Sequence, residues 1–405
     1  MFMNPAERES PPSSARKAEA RSPFVRLNEL LAPHQPGKPA INCAVGEPQH
    51  PIPAFAGPVF AQHIAELCRY PANKGTERFR RSVADWLSRR FVLPRPIDPE
   101  TEVLVLNGTR EGLFLAALCA SHNATPRAGR PAILVPNPCY AAYSAGASAS
   151  HCDTVFLPTT AASGFLPDLA SLDETLLART VAFYLASPSN PQGAVASADY
   201  LRKLLALARK HDFMIFSDEC YSEIYFGDKP AGMLEVAGPD YANVTVFNSL
   251  SKRSNLPGLR VGFVAGDRAF ITRFLEYRNS AAPQVPMPAQ EVAATALDDE
   301  IHVIENRKAY AQKFDLADQI IGDRYGYKRP AGGFFLWLDV SAQGGSVIAA
   351  ERLWREAGLR VLPGEYASHT DADGHNPGRD YIRVAMVHDN ATTADALHRL
   401  VDVLG

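Results

Sequence analysis

Residues 248 to 266 read NSLSKRSNLPGLRVGFVAG. A short apolar run, Val244-Thr245-Val246-Phe247, precedes this stretch, and a second, Val261 to Ala265, lies within its end. Both have the look of buried strands. Between them runs a polar loop of thirteen residues, Asn248 to Arg260, holding a single lysine, Lys252. Ser249, Ser251 and Arg253 flank the lysine, and Pro257-Gly258 forces a turn before Arg260. Loops at sheet ends carry a large share of function. A lone loop lysine is nonetheless usually just solvated, so the weight falls on the rest of the chain.

Outward from this stretch, residues 101 to 266 keep a regular rhythm. Apolar runs stand at Val103–Leu106, Ala132–Val135, Thr154–Leu157, Val181–Ala186, Met214–Ser217, Val244–Phe247 and Val261–Ala265. Helical patterns such as Arg110–Ser121 and Ala198–Lys210 separate most of them. This alternation predicts an α/β fold, a mainly parallel seven-stranded sheet between helices. A parallel crossover needs about a dozen residues. The last link is barely that long and contains Pro and Gly, so the final strand is expected to run antiparallel.

Beyond residue 286 the pattern changes. One long helical pattern, Ala289 to Ile321, leads to a strand at Phe334–Leu338 and a helix near Val347–Ala357. Strand-like stretches at Leu359–Leu362 and Tyr381–Val387 precede a final helix from about Thr392. On the N-terminal side, FVRLNELLAPH reads as a short helix, followed by a strand that ends at Gly46-Glu47-Pro48. Two helical patterns between 59 and 92 are separated by the loop Tyr70–Gly75. The expected organisation is a disordered tail over 1–22, a large α/β domain over 54–286, and a smaller α+β domain made of 23–53 plus 287–405. The tail's Pro, Ser and charge bias cannot build a core.

Composition excludes several classes. The 405 residues carry 41 basic and 44 acidic side chains, a net charge of -3. That balance gives no electrostatic case for nucleic acid or an anionic membrane as partner. No apolar run approaches the roughly 20 residues that span a bilayer. The six cysteines form no C-x-x-C pair and sit among apolar neighbours, which points to reduced thiols in or near the core and a cytoplasmic setting. The first residues lack the apolar core of a signal peptide.

Open α/β sheets bind ligands at the C-terminal ends of their strands. After Val103–Leu106 come Gly108, Thr109 and Arg110, opening a helix. A glycine and a hydroxyl at a helix start form an anion site, although Thr109 could equally be an ordinary N-cap. After Ala132–Val135 comes Tyr140, which could stack on a flat ligand or merely close the core edge. Ser187-Pro-Ser-Asn-Pro-Gln-Gly193 holds Asn190 in a rigid turn. Asp218 ends another strand, with Tyr221 three residues on. A buried Asp is costly unless partnered, by a cation here or as a helix cap. Lys252 adds an amine at the same edge, with Ser249 and Arg260 as anion donors.

Together these ends describe one flat ligand. It has a phosphate (Gly108, Thr109, Ser249, Arg260), a protonated ring nitrogen (Asp218), a ring oxyanion (Asn190, Tyr221) and a carbonyl for a lysine (Lys252). Pyridoxal 5'-phosphate held as a Schiff base has these groups. No G-x-x-x-x-G-K-[ST] motif is present, which disfavours a nucleotide, and no metal site is expected.

At these residues the chain resembles the class I/II pyridoxal-phosphate-dependent aminotransferases of the aspartate aminotransferase fold. The matching pieces are Asn190-Pro191-x-Gly193, Asp218-x-x-Tyr221, Ser249-x-Ser251-Lys252 and Arg260-x-Gly262. The resemblance runs from about residue 24 to the end, with Gln192 standing where the family often has Thr. It implies fold type I and transamination, with Lys252, Asp218 and Tyr221 catalytic and the cofactor held also by Arg110 and Tyr140. It implies that Arg383, Gly46 and Asn190 take the substrate. It also implies a homodimer in which Tyr70 reaches the partner's cofactor phosphate. Several runs, including SDECYSEIY, SLSKRSNLPGLR and VLPGEY, look closest to succinyldiaminopimelate aminotransferases of lysine biosynthesis. That resemblance points to N-succinyl-LL-2,6-diaminopimelate as donor and 2-oxoglutarate as acceptor. The alternatives are an aspartate/aromatic-type aminotransferase or a carbon–sulfur β-lyase on the same scaffold. A non-catalytic regulatory domain of this fold would carry an N-terminal DNA-binding module, for which the tail is too short.

Overall fold

This computed structural model describes residues 21–122, 124 and 129–405, and twelve strands organise the described residues. The disordered tail expected over 1–22 therefore falls, up to residue 20, outside the described residues. In chain order the strands are β1 (Ile41–Asn42), β2 (Val103–Leu106), β3 (Ala132–Asn137), β4 (Asp153–Pro158), β5 (Thr180–Ala186) and β6 (Met214–Asp218). They continue with β7 (Val244–Ser249), β8 (Gly262–Gly266), β9 (Phe335–Asp339), β10 (Leu359–Arg360), β11 (Leu362–Pro363) and β12 (Tyr381–Ala385).

Seven strands form the central sheet in the order β2-β8-β7-β6-β5-β3-β4. The pairs from β7 to β4 are parallel, and β8 is antiparallel to both of its neighbours, as expected from its short link. Side chains alternate between two apolar layers. Val103, Val105, Phe183, Ile215, Val246 and Phe263 enter one core, while Leu104, Leu106, Tyr184, Phe216, Phe247 and Val264 enter the other. Burial on both faces explains the continuous apolar runs.

Because β2 and β7 are each antiparallel to β8, their C-terminal ends lie at one edge. Leu106 and Ser249 both register with Gly262 of β8. A side chain at Gly262 would press within 2.8 Å of the Asn248 carbonyl oxygen, so only glycine allows this approach. The starts of the loops after β2 and β7 and the end of the loop before β8 thus meet at one point.

A second, smaller core gathers β9, β11 and β12 as an antiparallel sheet in the order β11-β12-β9, with β1 and β10 as a parallel pair. Ile41, Phe314, Leu336, Leu353, Val384 and Leu400 fill it.

Some local expectations change. The long helical pattern Ala289 to Ile321 is two helices, Met287–Asp298 and Ile301–Ile320. Asp299 breaks it by accepting hydrogen bonds from the N–H groups of Ile301 and His302, a competition short Asp side chains favour at helix starts. The first of these helices packs its Ala289, Val292, Ala293 and Ala296 into the sheet's core. Leu359–Leu362 is two short strands in different sheets. The loop after β7 is not wholly irregular, because Leu250–Arg253 forms one helical turn and Pro257–Leu259 a 3-10 turn. Cys68 is exposed rather than near the core.

Candidate active site

Lys252 sits in the helical turn Leu250–Arg253, which Ser249 caps by accepting from the Ser251 N–H at 3.1 Å. The turn points the amine back over the sheet edge, where Lys252 Nζ donates to the carbonyl of Gly46. The ring of Phe334 lies 5.2 Å from that nitrogen. Burial lowers the amine to about 8, with Arg383 and Arg260 adding to the effect and Glu47 opposing it. A charge held away from water is disfavoured, so the free base comes within reach of neutral pH.

Asp218, at the end of β6, is 9 % exposed. Its Oδ2 accepts from Tyr143 Oη at 2.6 Å and its Oδ1 from the Cys220 N–H at 3.1 Å. Among the described residues no cation forms an ion pair with it, and burial pushes its carboxyl above the usual range. The carboxylate still has free lone pairs. Such a group fits a cationic N–H arriving from a ligand, the requirement of a protonated pyridine nitrogen.

The anion side lies where β2, β7 and β8 meet. Thr109 opens a helix that runs to His122. Its Oγ1 lies 3.3 Å from Cys220 Sγ. Ser249 Oγ lies 2.8 Å from Ser251 Oγ. Arg260, in a left-handed conformation, reaches back so that its Nη2 lies 3.4 Å from the Asn107 carbonyl. A Cβ on Gly108 would lie 2.2 Å from that guanidinium, so the glycine makes the seat. Arg260 forms no ion pair among the described residues, which leaves a cation, two hydroxyls and a helix start for a phosphate.

Arg383, on β12, faces this edge from the smaller sheet. Its Nη1 donates to Asn190 Oδ1 at 3.1 Å and its Nη2 to the Ala44 carbonyl at 2.7 Å. Its carbon lies 4.4 Å from the Phe335 ring centre. Nε is buried without a partner, and burial lowers the group to about 10. Neutral acceptors do not offset a buried cation, so the geometry suits a carboxylate. Gly46 is needed here because a Cβ would strike the Phe335 ring at 2.5 Å.

Most residues singled out from the sequence thus converge. Tyr221 packs edge-on against Phe334 and Phe335 at 5.2 and 6.0 Å, and its hydroxyl stays protonated because burial raises it well above its ordinary value. Tyr140 accepts from Arg110 Nε at 2.7 Å and packs edge-on against Tyr143. Gln192 is buried and donates to Thr159 Oγ1 at 2.8 Å. Tyr70 is not in the cluster; it is 93 % exposed. Arg278, buried on a neighbouring helix, is held by the Glu111 carboxylate at 2.9 and 3.2 Å and so has its own counter-charge.

Sequence reasoning passed over Tyr143, Phe334 and Phe335. Tyr143 stands out only as the one large side chain in AAYSAGASA. The two phenylalanines look like ordinary strand residues. A cavity of about 430 Å³ lies elsewhere, lined by Thr180, Met214, Asn243 and Arg273 around the opposite ends of the strands, and holds none of these groups.

Known proteins resemble the chain over nearly its full length. The family model for aminotransferase class I and II matches residues 38–400. An LL-diaminopimelate aminotransferase of Desulforudis audaxviator is 29% identical over 94% of this chain and 95% of its own. One from Syntrophobacter fumaroxidans is 31% identical over 90% and 91%. The crystal structure of an aminotransferase from Neisseria meningitidis superposes with a TM-score of 0.88 at 36% identity, covering 95% of this chain and 98% of that one.

Proposed function

Since the chain belongs to the class I and II aminotransferases, enzymes that use pyridoxal phosphate to move an amino group between an amino acid and a 2-oxo acid, we propose that Lys252 is its cofactor lysine and a diaminopimelate-type amino acid its donor. The observation that carries the site is the pair of uncompensated buried charges, Asp218 and Arg383, in one cluster with Lys252.

When bound, the cofactor supplies an electron-withdrawing pyridinium that takes up the charge left by the departing Cα proton. Asp218 holds the proton on the ring nitrogen, and Tyr143 fixes that carboxylate's orientation. Tyr221 and Asn190 bind the ring oxygen. Gly108, Thr109, Arg110, Ser249 and Arg260 hold the phosphate, and Tyr140 covers the ring. Lys252 Nζ carries the proton away from Cα and returns it, a task suited to a base near the working pH. Arg383 takes the α-carboxylate with its guanidinium and thereby orients Cα toward the lysine.

The named relatives support a donor with the diaminopimelate skeleton. The local runs quoted above support the N-succinyl form, with 2-oxoglutarate as acceptor. A homodimer is part of this reading. Exposed Tyr70 has Ile52, Ile64 and Leu67 exposed on neighbouring segments, a group of residues suited to a second copy, through which Tyr70 would reach the partner's phosphate site. Cysteines held as thiols rather than in disulfides support a cytoplasmic setting. Two lobes, 54–286 and 23–53 with 287–405, are proposed to carry Lys252 and Arg383 respectively, with the helix Met287–Asp298 packed onto the core of the larger one.

A donor panel against 2-oxoglutarate tests this reading. N-succinyl-LL-2,6-diaminopimelate or its unsuccinylated parent should convert the bound cofactor to its amine form faster than aspartate or phenylalanine. Faster conversion by the latter two removes the donor assignment. Pyruvate release from a β-substituted alanine, without conversion of the cofactor, favours the β-lyase instead.

A further inference from the structure

Lys313 is 1 % exposed and, among the described residues, has no carboxylate within ion-pair distance. Its Nζ lies 2.6 Å from His50 Nε2. His50 Nδ1 lies 2.7 Å from Asn306 Oδ1. Asn306 Nδ2 in turn lies 3.2 Å from the carbonyl oxygen of Lys252 and 3.4 Å from that of Arg253.

The chemistry of these atoms sets the direction of every bond. Carbonyl oxygens only accept, so Asn306 turns its NH2 to Lys252 and Arg253 and its Oδ1 to His50. That oxygen also only accepts, so His50 carries its hydrogen on Nδ1. Nε2 is then a lone pair, and it accepts from the Lys313 ammonium. A cation at the far end polarises each donor along the chain. The chain ends on the last carbonyls of the turn Leu250–Arg253, groups that a helix leaves without internal partners.

An aromatic column runs beside it. The His50 ring lies 4.5 Å from Tyr310, Tyr310 stacks on Phe334 at 5.3 Å, and Phe334 lies under Lys252 Nζ. Asp389, at the start of the last helix, is the negative charge facing Lys313, which burial lowers to about 8. Burial likewise lowers His50, Asn306 opposes this and Lys313 adds to it, which keeps the imidazole neutral and able to accept.

We propose that Lys313, His50 and Asn306 form a one-directional hydrogen-bond relay that fixes the carbonyl end of the turn carrying Lys252 and so positions its amine. The consequence for catalysis rests on the reading of Lys252 above. All three are positioning residues, since they act through the backbone of the Lys252 turn.

The test compares His50→Leu, which breaks the relay, with His50→Gln, whose amide can accept from Lys313 and donate to Asn306. In the cofactor-free protein, amide exchange over 250–254 should speed up about tenfold in His50→Leu, the worth of one to two hydrogen bonds. His50→Gln should restore protection. The protonation midpoint of the Lys252 amine, read from the pH dependence of aldehyde addition, should move from about 8 toward 10.5 in His50→Leu and return in His50→Gln. Unchanged exchange and midpoint in His50→Leu would overturn the proposal. So would a His50→Gln protein as altered as His50→Leu. If His50→Leu does not fold, Lys313→Met takes its place against wild type. Faster exchange and a raised midpoint are then expected, and no change in either overturns the proposal. Failure of the Lys252 assignment itself shows separately, as covalent cofactor attachment that survives Lys252→Ala.

Discussion

Two arginines are buried almost equally, Arg278 at 2 % and Arg383 at 7 % exposure, and their surroundings differ in one respect. Each leaves one buried nitrogen without a partner. Arg278, at the end of the helix Arg268–Asn279, faces the carboxylate of Glu111. Among the described residues, Arg383 faces an amide oxygen, a backbone carbonyl and a ring, and no carboxylate forms an ion pair with it. A buried cation with its own counter-charge holds helices together. A buried cation without one keeps its full desolvation cost until a ligand supplies the anion. Asp218 is the acidic counterpart, a carboxylate satisfied by neutral donors and short of a cation. The contrast separates structural charges from functional ones more sharply than burial does.

The largest test of that contrast is Asp218→Ala. It should cut turnover by about a hundredfold or more, within the range of acid–base effects, while leaving the thermal midpoint nearly unchanged. Turnover close to wild type would remove Asp218 from the functional side. Arg383→Ala should raise KM for the amino donor by roughly ten- to a hundredfold, the worth of a charge-assisted contact of about 1.5–3 kcal/mol. Arg278→Ala should do the reverse, costing about 3–5 kcal/mol of stability by stranding Glu111, with KM little changed. A KM effect from Arg278 as large as that from Arg383 would erase the distinction. A smaller effect is expected for Lys252 itself: with its amine lowered to about 8, addition to an aldehyde in the cofactor-free protein should rise with pH and reach half its maximum near that value. Protonation blocks attack, so a midpoint near 10.5 would mean that the amine is solvated. The smallest is Tyr143→Phe, which removes one hydrogen bond to Asp218 and should slow turnover by about fivefold without moving KM.

These regions also differ in how visible they are in the sequence. The strand ends read well because each is a few consecutive residues: Gly108-Thr109, Asp218 to Tyr221, Ser249 to Lys252. An apolar run followed by a polar group keeps its meaning wherever the strand lies in the sheet. The antiparallel course of β8 follows from the same logic, since its link is too short for a parallel crossover. The break at Asp299 escapes a sequence reading because helical periodicity continues across it, and only the side chain's choice of backbone N–H groups ends the helix. Phe334 and Phe335 escape it because a wall under an amine looks, in sequence, like any apolar strand.

By itself the sequence determined the classes of group at the sheet edge: one amine, one buried acid and anion donors, while the arginine on a late strand entered only through the family resemblance. Those are local properties, set by residue type and by periods of 2 and 3.6. Neighbourhood was decided only by the tertiary structure. The order β2-β8-β7 is not chain order, and it brings Thr109, Ser249 and Arg260 to one point. His50 and Lys313 meet although 263 positions separate them. Whether a buried charge has a counter-charge likewise depends on which distant segment packs against it. Burial makes charges interact strongly at short range, so that packing separates Arg383 from Arg278.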